Sequence, residues 1–413
     1  MPEPRHDTPE PFKVDIPERA LIDLDERLRR WRPPTRIADN GTWASGTDPD
    51  FLIDLVEHWR HAYDWQRCQE AINRWPNYLV DIGLQRLHFI REPGTEVEGA
   101  PRPRPLPLVV THGWPGSIVE FLDIIDKLAH PEDHGGDPLD SFDVIAPSLP
   151  GYGFSGPPMR ADGSIGPIGP RAIAGLWHKL VHEVLNYNRP YGVQGGDWGA
   201  VVSSWAAFDF PRQDDSGVLG LHLNMIGLRP GIDLKTTRFS PEEQAWLKAA
   251  RDGRDDKTAY QRIQSTRPQT LGVALSDSPV GLAAWIVEKF QAWSDCGGKP
   301  LTRFSMDLLL DNIMVYWLTG TAGTATWLYR GVAEQPERGL PAGKRVETPT
   351  AYAAFPADLA APPPKAWIER AYNLRRHTIM PRGGHFAALE EPDLLVEDIR
   401  AFYRPLRYGA AND

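Results

Sequence analysis

The hydrophobic pattern changes character three times along the chain. Leu21, Leu24, Leu28 and Trp31 recur at the spacing of one apolar helix face, and Pro33-Pro34 ends that helix because proline lacks an N–H and disfavours helix before it. Leu52, Leu55, Trp59 and Tyr63 predict a second helix; such an aromatic stripe reads as core, since periodicity signals a buried face and not a chemistry. Residues 1–10 read as a tail. From residue 78 short apolar runs take over. Segments 78–82 and 87–90 predict a hairpin bent at Gly83, followed by a proline-rich loop at 94–105. Runs at 106–111, 142–146, 191–194 and 219–223 then alternate with helical stretches such as 118–129 and 173–186. Near-continuous apolar strands separated by helices predict an α/β fold with a mostly parallel sheet and helices on both faces. After Arg229 the strands give way to helical, Trp-rich sequence, return at 350–355 and 377–381, and a helix at 392–403 closes the chain. The expected organisation is a helical N-terminal meander (1–91), a first core part (92–228), a helical lid (229–345) and a second core part (346–413).

Composition narrows the function classes. The 413 residues include 41% hydrophobic and 24% charged positions, an ordinary globular balance. Lys plus Arg (45) against Asp plus Glu (55) gives −10, a poor match to a nucleic-acid binder, whose affinity rests on phosphate neutralisation. Two cysteines, Cys68 and Cys296, cannot form a disulfide framework. The 15 Trp suggest an apolar binding cavity, and 37 Gly with 40 Pro suggest many tight turns. The longest apolar run, 279–287, stops at Glu288, short of the roughly 18–20 residues that span a bilayer. The N-terminus lacks the charged and apolar regions of a secretory signal. A cytoplasmic protein without a membrane anchor is expected.

Three motifs lead nowhere. The segment 151–156 satisfies G-x-G-x-x-G, but Pro157-Pro158 follow where a dinucleotide site needs its helix to open. His178 and His182 lie four apart on a helix, yet Lys179 stands where a zinc protease carries Glu. His130 and His134 sit in a polar loop. Neither pair has a third ligand nearby, so neither a metal nor a cofactor is expected.

The chemistry gathers elsewhere. An apolar strand runs into Gly195-Gly196-Asp197-Trp198-Gly199 and then into a helix, the strand-turn-helix arrangement that presents a nucleophile, here Asp197. Attack by a carboxylate on an ester would give a high-energy anhydride. Asp therefore suits a saturated, electrophilic carbon, forming an enzyme ester that water later cleaves. Epoxides and alkyl halides are the two obvious substrate classes. The water step needs a base, and His385 stands in a Gly-Gly-His turn after a strand and before the closing helix, last in chain order as a triad histidine should be. Its orienting carboxylate is expected at Asp358, with Asp233, Glu390 and Glu391 as rivals. An oxyanion hole is expected from the backbone N–H groups of Trp114, in His112-Gly-Trp-Pro-Gly116, and of Trp198.

With these residues in view, the chain resembles the epoxide hydrolases of the α/β-hydrolase fold, in the branch of the microsomal and juvenile-hormone enzymes, from about residue 11 to residue 403. The motifs that carry the likeness are 11–17 and 30–34 in the meander, His112-Gly-Trp-Pro115, Ser148-Leu-Pro-Gly-Tyr-Gly-Phe-Ser155, the turn at 195–199 and Arg382-Gly-Gly-His-Phe-Ala-Ala388. The resemblance implies hydrolysis of a small apolar epoxide to a diol, with water as the other reactant, no cofactor, a cis Pro115 and room for a homodimer. It also implies that two lid tyrosines bind the epoxide oxygen and protonate it; Tyr260 and Tyr329 stand at those positions. Two departures from the microsomal enzyme are expected: no membrane anchor before the meander, and Asp358 where that enzyme has Glu. A dehalogenase would share the Asp nucleophile and the base histidine but has no need of paired lid acids. A non-catalytic pocket protein would have no reason to keep all five positions.

Overall fold

The computed structural model describes residues 8–407 apart from 37, 39, 40, 100–103, 253, 336 and 338. Segment 1–7, most of the expected tail, and part of the proline-rich loop lie outside the described residues. Among the described residues nine strands form one sheet: β1 (Glu10–Phe12), β2 (Asn77–Ile82), β3 (Gln85–Glu92), β4 (Leu106–Thr111), β5 (Phe142–Pro147), β6 (Tyr191–Gly195), β7 (Val218–Leu223), β8 (Val346–Ala354) and β9 (Tyr372–Ile379). Their order is β1-β2-β3-β5-β4-β6-β7-β8-β9. Pairings from β5 through β4 to β9 are parallel, and β1, β2 and β3 add on antiparallel through β3 against β5. The sequence block 1–91 thus supplies three strands of the sheet as well as the helices expected of it.

Strands β5, β6 and β7 are buried at every residue, which is why they read as unbroken apolar runs. The outer strands were harder to see. In β8 the first residues alternate buried and accessible, and β9 carries Asn373, Arg375 and Arg376, so both strands start earlier than their apolar runs. The hairpin turns at Gly83-Leu84, where Gly83 takes a φ of 61° that a Cβ would penalise.

The meander helices are α1 (Glu18–Arg30), α2 (Pro49–His61) and α3 (Trp65–Asn73), the last unmarked by the apolar spacing. Between strands come α4 (Leu122–Ala129), α5 (Pro170–Lys179) and α6 (Asp197–Asp209). Helix α4 opens with a 3-10 turn at Ile118–Phe121, and α5 ends in a π turn at Leu180–Val184. The insertion between β7 and β8 holds α7 (Pro241–Asp252), α8 (Arg254–Thr266), α9 (Pro268–Asp277), α10 (Pro279–Trp293), α11 (Met306–Leu318) and α12 (Trp327–Glu334). The chain ends through α13 (Lys365–Ala371), α14 (Ala387–Glu390) and α15 (Pro392–Arg407). Helices α5 and α6 pack together, α4 packs with α15, and the two pairs cover the sheet. The meander clasps the insertion at α11, where Arg67 (2.8 Å) and the Tyr63 hydroxyl (2.9 Å) both reach Asp311. Among the described residues no single helix is long and apolar enough to cross a membrane.

Candidate active site

Parallel strands place their C-terminal ends on one edge of a sheet, and ligands of such sheets bind there. The register sets Thr111 of β4 beside Gly195 of β6, so the loop after β4 lies against the turn after β6. That turn is tight. Asp197 takes a φ of 45°, a left-handed conformation rare outside glycine. A Cβ on Gly199 would overlap the Thr111 carbonyl, and one on Gly195 would overlap the Gly199 backbone, so the flanking glycines are required by close approach. A capping role would have tied the Asp197 carboxylate to its own helix. Instead Gly196 holds the cap position without a side-chain bond, and Asp197 faces the β4 loop. There Trp114 N–H donates to Asp197 Oδ1 at 2.8 Å, from a loop with a cis Trp114–Pro115 bond. Trp198 follows at the start of α6, its ring edge-on to Tyr329 at 4.7 Å.

His385 arrives from the loop after β9. Its Nε2 lies 3.4 Å from Asp197 Oδ2, and its Nδ1 lies 2.7 Å from Asp358 Oδ1, from the loop after β8. Burial works against a charge on His385, but Asp358 and then Asp197 outweigh it and hold the imidazole well above its usual range. The rival carboxylates are engaged elsewhere. Asp233 accepts from Lys235 N, Glu390 accepts from the backbone of Asp295 and Phe386, and Glu391 pairs with Arg303 and Arg382.

The insertion brings Tyr260 on α8 and Tyr329 on α12 over this centre, their rings 5.8 Å apart. Trp114 stacks on Tyr260 at 5.2 Å and meets Tyr329 edge-on at 5.8 Å. Desolvation first, and then the Asp197 charge for Tyr260 and the neighbouring phenol for Tyr329, push both hydroxyls above their usual range. Both are therefore protonated at neutral pH. Gln261 Nε2 donates to the Tyr260 oxygen at 2.9 Å, while the buried Tyr329 hydroxyl has no hydrogen-bond partner among the described residues.

The motifs set aside in the sequence have structural employment. Segment 151–156 closes on itself, Gly151 N–H to Gly156 O at 2.8 Å, and is tied to the insertion by Thr324 Oγ1 at 2.7 Å. His178 stacks on Phe210 at 4.1 Å, and His182 contacts the Tyr187 carbonyl.

Several groups of the site were not singled out in the sequence. Trp293 of α10 accepts the His385 backbone N–H at 2.8 Å and sets its ring against the imidazole at 5.0 Å. His112 is neutral: Leu149 N–H donates to its Nε2, its Nδ1 contacts the Gly113 carbonyl, and burial lowers it to about 4. Glu120, Gln194 and Asn224 line a cavity beside Asp197 and His385. Glu120 was masked by its own motif, since Ser117-Ile-Val-Glu120 reads as a helix capping box. Ser117 does cap the turn through Val119 N–H at 3.2 Å, and Glu120 lines the cavity.

A mostly parallel sheet with a sharp, nucleophile-presenting turn after a central strand and a helical insertion before its last strands is the α/β-hydrolase fold. The profile of that fold matches residues 107–392, and the profile of the epoxide hydrolase N terminus matches residues 9–121. Epoxide hydrolase 1 of Oryctolagus cuniculus is 37% identical over 95% of this chain and 88% of its own length. Juvenile hormone epoxide hydrolase 2 of Ctenocephalides felis is 35% identical over 94% and 84%. The solved epoxide hydrolase of Aspergillus niger superimposes with a TM-score of 0.80 at 30% identity, covering 98% of each chain. The chain belongs to the epoxide hydrolase family. It is an enzyme that converts an epoxide to a diol.

Proposed function

We propose that the reaction proceeds through a covalent ester on Asp197. The observation that carries this reading is the asymmetric setting of the two Asp197 oxygens: Oδ1 is held by Trp114 N–H at 2.8 Å, and Oδ2 faces His385 at 3.4 Å. Oδ2 attacks an epoxide carbon beneath the tyrosines. As the ring C–O bond breaks, one phenol gives its proton to the departing oxygen and becomes a tyrosinate, its partner holding the same oxygen by a hydrogen bond. Esterification removes the Asp197 charge. That charge is one of the two that keep His385 protonated, so the imidazole loses its proton to the tyrosinate through water and becomes a base. Water then attacks Asp197 Cγ as His385, oriented by Asp358, takes one of its protons. Oδ1 carries the oxyanion against the Trp114 and Trp198 N–H groups. Collapse breaks the bond from Cγ to the substrate-bound Oδ2, and the alkoxide takes the proton of the new carboxyl group, which returns Asp197 and a protonated His385. The aromatic walls, Trp114, Tyr260, Tyr329 and Trp293, suit a small apolar epoxide.

Labelled water tests the route. With enzyme in excess over epoxide, the first diol should carry no solvent label, because its new oxygen was Asp197 Oδ2, and peptide mapping should find the label on Asp197. A fully labelled diol in that single turnover means direct attack by water and reduces Asp197 to a base.

A further inference from the structure

Beside Asp197 is a cavity whose lining includes Asp197, His385, Glu120, Gln194 and Asn224 and neither of the lid tyrosines, Tyr260 and Tyr329. It leaves about 20 Å³ for the centres of water molecules, where one enclosed water needs about 10–15 Å³ and two to four polar partners. The partners are present. Gln194 Nε2 donates to Asn224 Oδ1 at 2.9 Å, and Oε1 of Gln194, a residue 1% exposed, has no partner among the described residues. Glu120 is part-buried and lines the cavity. No described protein group hydrogen-bonds its carboxyl. A Cβ on Gly116 would overlap Glu120 Oε1, so the loop that supplies the Trp114 N–H also makes room for this carboxyl. A part-buried carboxyl without a protein partner, lining the same cavity as the unpartnered Gln194 Oε1, calls for a polar ligand there.

We propose that this cavity holds the attacking water and that Glu120 is its positioning residue, accepting the hydrogen that His385 does not take, a role that presupposes the ester on Asp197 proposed above. Substrate then meets Asp197 beneath the tyrosines, and water meets it from a cavity that the tyrosines do not line. His385 removes one proton, Glu120 keeps the other O–H aligned, and the lone pair of the oxygen is left facing Asp197 Cγ. Glu120 exchanges no proton in the step, and the balance given above is unchanged. Burial pushes the Glu120 carboxyl up to about 8, with the His385 charge opposing and the Asp197 charge adding; either protonation state offers an accepting oxygen.

The two half-reactions separate the possibilities. Wild type, Glu120→Ala, Glu120→Gln and Gly116→Ala are mixed with a small aryl epoxide, and the alkyl-enzyme is followed by rapid quench and intact mass. Formation of the adduct should stay within about threefold in all four, while its decay slows about tenfold or more in Glu120→Ala and Gly116→Ala and recovers in Glu120→Gln, which keeps an accepting oxygen. Decay at the wild-type rate in folded Glu120→Ala overturns the role of Glu120, as does an equal loss in both steps. A His385→Gln variant run alongside distinguishes the deeper failure: if it too never yields an adduct, the ester itself is refuted.

Discussion

A single methyl group placed on Gly113 should disable the enzyme without unfolding it. A Cβ there would sit 2.2 Å from Asp197 Oδ1, 2.3 Å from its Cβ and 2.6 Å from its Cγ. Ordinary contact begins at 3.4 Å, so the two groups must separate by 3.4 − 2.2 = 1.2 Å. Asp197 has little room to retreat, because Gly195 and Gly199 pin its turn against Thr111 and its φ is already 45°. Displacement breaks the Trp114 N–H bond to Oδ1, a hydrogen bond to a charged acceptor worth about 1.5–3 kcal/mol, or roughly ten- to 150-fold in rate. Misplacement of the attacking oxygen by about 1 Å adds a loss on the order of 10²-fold. Gly113→Ala should therefore lower kcat at least about 10²-fold in steady-state assays on a small aryl epoxide. Gly175→Ala is the control: a Cβ there meets nothing within 4 Å, so turnover should be unchanged and stability unchanged or raised by up to about 1 kcal/mol. A folded Gly113→Ala enzyme within about threefold of wild type would refute the steric reasoning.

Three further outcomes are expected. Tyr260→Phe and Tyr329→Phe should each slow adduct formation about tenfold, and the double variant about 10²- to 10⁴-fold; unchanged pre-steady-state alkylation in both singles would remove the tyrosines from the mechanism. His385→Gln should take up one substrate-sized mass on Asp197 and stall, whereas unmodified protein after long incubation, or normal turnover, contradicts the division of labour. The Glu120 carboxyl is pushed up to about 8 in the folded protein from its ordinary 4.5. The folded state then binds this proton more tightly than the unfolded chain, so the group withdraws stability as pH rises from about 4.5 to about 8. The melting temperature of Glu120→Gln relative to wild type should climb steadily across that window, and a difference independent of pH would show that the carboxyl is not held protonated.

Much of the core was legible because its signals are local. Strands buried on both faces leave unbroken apolar runs, and β4, β5, β6 and β7 were placed within a residue or so of their observed bounds. The outer strands were misjudged where burial is partial. Strand β1 has only three residues, and the polar start of β9 hides its extended backbone. Nothing local distinguishes a hairpin that ends a meander from one that extends a sheet. That choice is made by the pairing of β3 with β5, whose partners lie more than 50 positions apart in the chain.

The same boundary runs through the active site. The glycines around Asp197 and the turn before His385 are set by backbone geometry, so sequence alone determined where a strained turn and a chain-terminal histidine loop would stand. Which carboxylate meets His385 was decided by the parallel register of β8 and β9, which ends both strands at one edge and sets Asp358 within 2.7 Å while Glu390 and Glu391 turn to other partners. Glu120 marks the limit. Its sequence context describes a capping residue, and only the approach of the β4 loop, β6 and the His385 loop makes it part of the wall of a cavity beside Asp197. Local patterns encode what one segment does with its own backbone; a site assembled from the ends of β4, β6, β8 and β9 exists only once non-local pairing has fixed their register.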